Sequence, residues 1–172
     1  MPDTLWIVST RDPDGDPVCE LTWAGHRWYA AVAAVRQTAL DLVTCAAYAE
    51  MMREMITTAK LPPATVEAFT TSLLRGAGRT GSFGSPETAD ILPAGAVHKP
   101  TGERWAVVLI SRGSMDGMLT AEEARTMAGA WLAAAEATES DQLVAEAFRS
   151  TQRGNDTGLD RLFGYLRRLR DA

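Results

Sequence analysis

Asp12, Asp14 and Asp16 place three carboxylates at alternate positions, the spacing with which a calcium loop begins. An EF-hand needs glycine at its sixth position and glutamate at its twelfth. Counted from Asp12, the glycine comes fourth, as Gly15, and Trp23 stands twelfth. Arg11-Asp-Pro-Asp-Gly-Asp-Pro17 therefore reads as a solvated hairpin turn. His26 and His98 are the only histidines, which excludes a His-rich metal site. Cys19 and Cys45 have neither CxxC nor zinc-ligand spacing. Gly81-Ser-Phe-Gly-Ser85 departs from the Gly-x-Ser-x-Gly elbow of serine hydrolases. No catalytic, metal or cofactor set is assigned, and enzyme activity is left open.

Binding chemistry has more to work with. Residues 76–90 hold four glycines, two serines and a proline. Backbone N–H groups in such a tract can cradle an anion, and Arg75 and Arg79 would supply charge. Arg75, Arg79, Thr80, Ser82 and Phe83 are the candidate ligand-binding residues, although the Lys-Ser/Thr ending of a P-loop is missing. A mobile connector is the competing role for this tract. Met51, Met52 and Met55 sit near the end of a long helical pattern, and methionine surfaces adapt to partners. The C-terminal segment sets Leu162, Phe163 and Leu166 opposite Arg167, Arg168 and Arg170. These two groups are the candidate partner-binding residues.

The elements that would position them follow from pattern. Leu5–Ser9 and Val18–Trp23 read as strands flanking the Asp-rich turn. From Trp28 to about Ala59 there is no Gly or Pro, and Val32, Val35, Ala39, Leu42, Ala46, Ala49 and Met52 mark a helical face. Pro62-Pro63 opens a shorter helix. Ala96–His98 and Arg104–Ile110 read as a second hairpin, followed by a loop at Gly113 and Gly117. Thr120-Ala-Glu-Glu123 is a capping box, the clearest helix start in the chain.

The halves align at an offset of 87 residues through the hairpins, Leu21 on Val108 and Trp23 on Ile110. One further residue later, Thr38 falls on Thr126 and Cys45–Ala49 on Ala133–Ala137. The expected fold is α+β: two ββα repeats pair in one four-stranded antiparallel sheet covered by long helices, plus a C-terminal amphipathic helix. The expected domain runs over 1–152, with repeats at 1–60 and 91–150 and a linker and helix at 153–172.

Composition bounds the rest. The 172 residues carry 17 Lys or Arg against 22 Asp or Glu, a net charge of −5, which excludes a wholly basic nucleic-acid binder. Residues 149–172 hold six arginines and three aspartates, +3, so residues 1–148 carry −8. Two cysteines suit a reducing compartment. No leader pattern or apolar run long enough for a membrane span is visible, so a cytoplasmic protein is expected.

Ala96–Ala137, about a quarter of the chain, resembles a pattern of small actinobacterial and actinophage proteins. In these a Gly-turn hairpin precedes a Leu-Thr-x-Glu-Glu-Ala-Arg helix and an Ala-Ala-Glu-Ala run; here they are Leu119–Arg125 and Ala133–Ala137. The resemblance implies no catalytic residue and points to a phage or mobile-element accessory factor. The leading expectation is a non-enzymatic interaction protein, a homodimer that binds a host protein or defence component. Two alternatives stand beside it: a small-ligand or nucleotide-sequestering protein using the Gly-rich loop, and a nucleic-acid-associated regulator using the C-terminal arginines.

Overall fold

The computed structural model describes residues 5–76, 91–99, 104–151 and 156–170. Its elements run β1 (Trp6–Arg11), β2 (Pro17–Trp23), β3 (His26–Ala30), α1 (Val32–Thr57), α2 (Pro63–Gly76), β4 (Leu92–His98), β5 (Trp105–Arg112), β6 (Met115–Thr120), α3 (Ala121–Thr151) and α4 (Asp156–Arg170). The class is α+β, and no helix among the described residues is long and apolar enough to cross a membrane.

The sheet arrangement corrects the sequence expectation. There are two three-stranded antiparallel sheets, β1-β2-β3 and β4-β5-β6, in place of one sheet of four strands. Each long helix therefore follows three strands, not two. Two added outer strands, β3 and β6, make the difference, and β4 starts earlier than its expected arm Ala96–His98. β3 occupies His26–Ala30, where an unbroken helical run from Trp28 was expected, and α1 begins only at Val32. β6 occupies the expected loop around Gly117, and β4 includes Pro93 and Gly95. α3 is one continuous helix from Ala121 to Thr151.

β2 alternates as a half-buried strand should, whereas β5 also buries Val107. Cys19, Leu21 and Trp23 of β2 are buried, as are Ala106, Val108 and Ile110 of β5, and the two sets differ by 87 positions. On the helices, buried Val35, Ala39, Leu42, Ala46 and Ala49 of α1 match buried Ala124, Ala128, Trp131, Ala135 and Thr138 of α3. These differ by 89 positions, so the match of Thr38 to Thr126 slips by one residue. On a helix one residue is about 100° of rotation, and Thr38 is indeed buried while Thr126 is exposed.

The helices exchange partners between halves. α1 lies mainly against β4 and β5 of the second sheet, α3 lies against β1 and β2 of the first, and α1 and α3 pack on each other. Arg36 of α1 pairs with Glu139 of α3, and Arg125 of α3 pairs with Glu50 of α1. Each helix carries its arginine fourteen residues before its glutamate, so the two pairs are reciprocal and fix the helices as antiparallel. The sheets meet where a Cβ on Gly117 of β6 would lie 3.3 Å from the Trp23 ring. The Arg112 guanidinium lies over the Trp28 ring, 3.8 Å from its centroid. One hydrophobic core spans both halves.

Candidate functional site

β1 and β4 occupy equivalent ladder positions but carry different side chains. Ile7 pairs with Leu21, and Gly95 pairs with Val108. At Gly95 the α1 backbone comes so close that a Cβ would lie 2.6 Å from the Cys45 carbonyl oxygen and 3.3 Å from the Ala49 nitrogen. Only glycine permits that approach, and it seals β4 onto α1. Ile7 has a full side chain at the corresponding place, and β1 stands off α3.

The result is a trough between β1 and α3. Its upper part is a cavity of about 630 Å³, walled by Leu5, Trp6, Ile7, Leu119 and Met127 and floored by Trp131, with Glu122, Glu123 and Thr126 at the rim. Its lower part, about 400 Å³, runs from Ile7 to Arg11 along β1 and from Ala130 to Asp141 along α3. Ile7 and Ala130 line both parts, which makes the trough continuous. The Ser9 hydroxyl donates to Asp141 across 3.2 Å and ties β1 to α3 at the lower end.

α4 sits over the lower part. Phe163 and Leu166 line it. Arg11 pairs with Asp160 and places its guanidinium 5.2 Å from the Phe163 ring centroid. The same arginine donates from Nε to the Gly15 carbonyl at 2.6 Å, so the Asp-rich turn holds the anchor that holds α4.

The capping box positions the upper rim. Glu123 N–H donates to the Thr120 hydroxyl at 3.1 Å, and Thr120 N–H donates to the Glu123 carboxylate at 2.7 Å. The backbone bond from Thr120 holds the Glu123 carboxyl below its ordinary pKa, with the Thr120 side-chain bond adding to it.

The remaining chemistry-bearing residues do not line the trough. Asp12 accepts the Asp16 N–H at 2.9 Å, and Asp16 pairs with Arg149 at 2.6 Å. His26 begins β3 and His98 ends β4, both exposed. Cys19 and Cys45 are buried and form no disulfide, and burial pushes the Cys19 thiol pKa up. Among the described residues no group of three His, Cys, Asp or Glu side chains gathers as a metal site.

Of the expected ligand-binding residues, Arg79, Thr80, Ser82 and Phe83 lie outside the described residues, as does the Arg75 side chain. Of the expected partner-binding residues, Met51, Met52 and Met55 are half-buried at the end of α1. Leu162, Phe163 and Leu166 are half-buried on α4 and Arg168 is exposed, while the Arg167 and Arg170 side chains lie outside the described residues. The trough itself was missed. Met127 and Trp131 stand four residues apart and so share a helix face, but nothing local says that Ile7 holds β1 away from them. A comparison with protein-family models, curated proteins and solved structures finds no match to the chain.

Proposed function

We propose that the chain is an interaction protein that binds an apolar segment of a protein partner in the β1–α3 trough. The observation that carries this is the open upper cavity, apolar on floor and walls and acidic at its rim, in a fold that seals the equivalent place on the other side with Gly95. Its size is that of a binding pocket, which typically spans about 300–1,000 Å³. Exposed Trp6 at its mouth offers the kind of aromatic anchor that concentrates binding energy at interfaces.

The doubled order of three strands and a helix belongs to the same proposal. Equal burial at offsets of 87 and 89 and the reciprocal Arg–Glu pairs support descent from one duplicated unit. One copy of the contact then stayed closed and the other opened. The role of a phage or mobile-element accessory factor acting on a host protein rests on the resemblance of Ala96–Ala137.

Selection of helical and extended peptides from a display library on the purified chain tests the binding role. The selected peptides should carry apolar anchors with basic flanks. Their affinity should fall at least tenfold on Ala130→Glu, an exposed position whose substitution should shift stability by no more than about 0.5 kcal/mol. Peptides that bind the variant as well as the native chain would remove the trough from the function.

A further inference from the structure

We propose that the whole trough is one helix seat, only partly filled by α4, and that the partner presents a helix of the same kind as α4. That helix is amphipathic, with an aromatic residue and a leucine three positions apart and a net positive charge. The inference rests on the binding role proposed above and adds the identity of the occupant.

On α3 the side facing the trough is Thr126, Ala130, Ala133 and Ala137, at spacings of four, three and four. Residues so spaced share one helix face, and small side chains there let a second helix lie close. α4 already uses the lower half of this stripe, with Phe163 and Leu166 beside Ala133 and Ala137. The upper half continues the same surface without a break. Charge points the same way. The rim carries Glu122 and Glu123, residues 1–148 carry −8, and residues 149–172 carry +3. A basic helix is therefore the complementary occupant.

The seat from Glu122 to Asp141 is about 29 Å long at helical rise, whereas α4 has 15 residues and its anchors lie at the lower end. A partner helix that spans both parts must displace α4, which makes α4 a built-in competitor. Being tethered, α4 competes at an effective concentration on the order of millimolar. Binding is then weak until the tethered helix is lifted.

The probe is a synthetic peptide of residues 156–172, titrated by fluorescence anisotropy against the full chain and against its Phe163→Ala/Leu166→Ala variant. Both substitutions lie on α4, outside the core. The peptide should bind the variant at least tenfold more tightly than the native chain. Hydrogen exchange should then show protection over residues 5–11 and 121–141, and Glu122→Lys should weaken binding. A scrambled peptide should not bind. Equal binding to both proteins, no binding to the variant, or protection elsewhere would overturn the inference. The peptides selected in the previous experiment would still decide on the trough. Dimers of the native chain that the peptide dissociates would instead assign the seat to a second copy and overturn the partner.

Discussion

At the scale of single residues, glycines with opposite surroundings give the sharpest test. A methyl group at Gly95 would press on two backbone atoms of α1, and backbone cannot swing aside as a side chain can. Gly95→Ala should cost about 2–3 kcal/mol, within the range of overpacking in a filled core. Gly129, in α3, has nothing within 4 Å of an added Cβ. Gly129→Ala should stabilise the chain by about 0.5–1 kcal/mol through helix propensity. Urea unfolding of both variants checks the pair; equal effects would mean that α1 does not rest on β4 as described. Gly95 also shows why sequence reading failed there. Leu-Pro-Ala-Gly looks like a strand breaker by local rules, yet β4 is an edge strand, where proline is tolerated, and its glycine serves a neighbour distant in sequence. The capping box was legible because both its partners lie within four residues. Thr120→Ala should cost about 1 kcal/mol, read from the same unfolding curves.

At the scale of elements, the long helices were legible and the outer strands were not. Helical periodicity in α1 and α3 is written along many turns, and alanine favours the helix at every step. β3 is five residues long and abuts the alanine-rich run, so its Trp-Tyr-Ala end passes for the first turn of α1. Its strand state comes from pairing with β2, Leu21 opposite Trp28. Charge adds to the apolar packing of the helix pair. Arg125 holds the Glu50 carboxyl below its ordinary pKa by direct hydrogen bonding, and Arg36 does the same for Glu139. A carboxyl whose folded pKa is depressed contributes stability that is complete above its unfolded pKa and is lost as pH falls through the folded one. Both pairs should therefore stabilise the helix packing at neutral pH and release it in acid. The urea midpoint should drop between pH 7 and pH 3, and Glu50→Gln/Glu139→Gln should flatten part of that drop. Both pairs are solvent-exposed, so the effect should be small and should shrink in high salt. A pH profile unchanged by the double substitution would show that the pairs add nothing.

At the scale of the whole molecule, the exchange of helices between sheets decides how the chain comes apart. α1 follows the first sheet in sequence but covers the second, and α3 does the reverse. Neither half holds a complete core. Leu21 and Trp23 share one cluster with Val108, Ile110 and Trp131. If the second sheet frays, α1 loses the surface it rests on, and with α1 goes the packing that holds α3 over the first sheet. The two halves cannot unfold separately, although the repeated order of three strands and a long helix invites the view of two small domains. The trough does not weaken this coupling. It opens on the flank where Ile7 replaces the equivalent of Gly95, outside the α1–α3 contact. Urea unfolding should therefore be a single transition. Tryptophan fluorescence, reporting buried Trp23 from one half and Trp131 from the other, should fall together with far-ultraviolet circular dichroism. Phe163→Ala/Leu166→Ala should leave the shape of that transition unchanged, because α4 lies on the trough and outside the shared core. Two resolved transitions, or fluorescence and dichroism curves with separate midpoints, would mean that each half carries its own core.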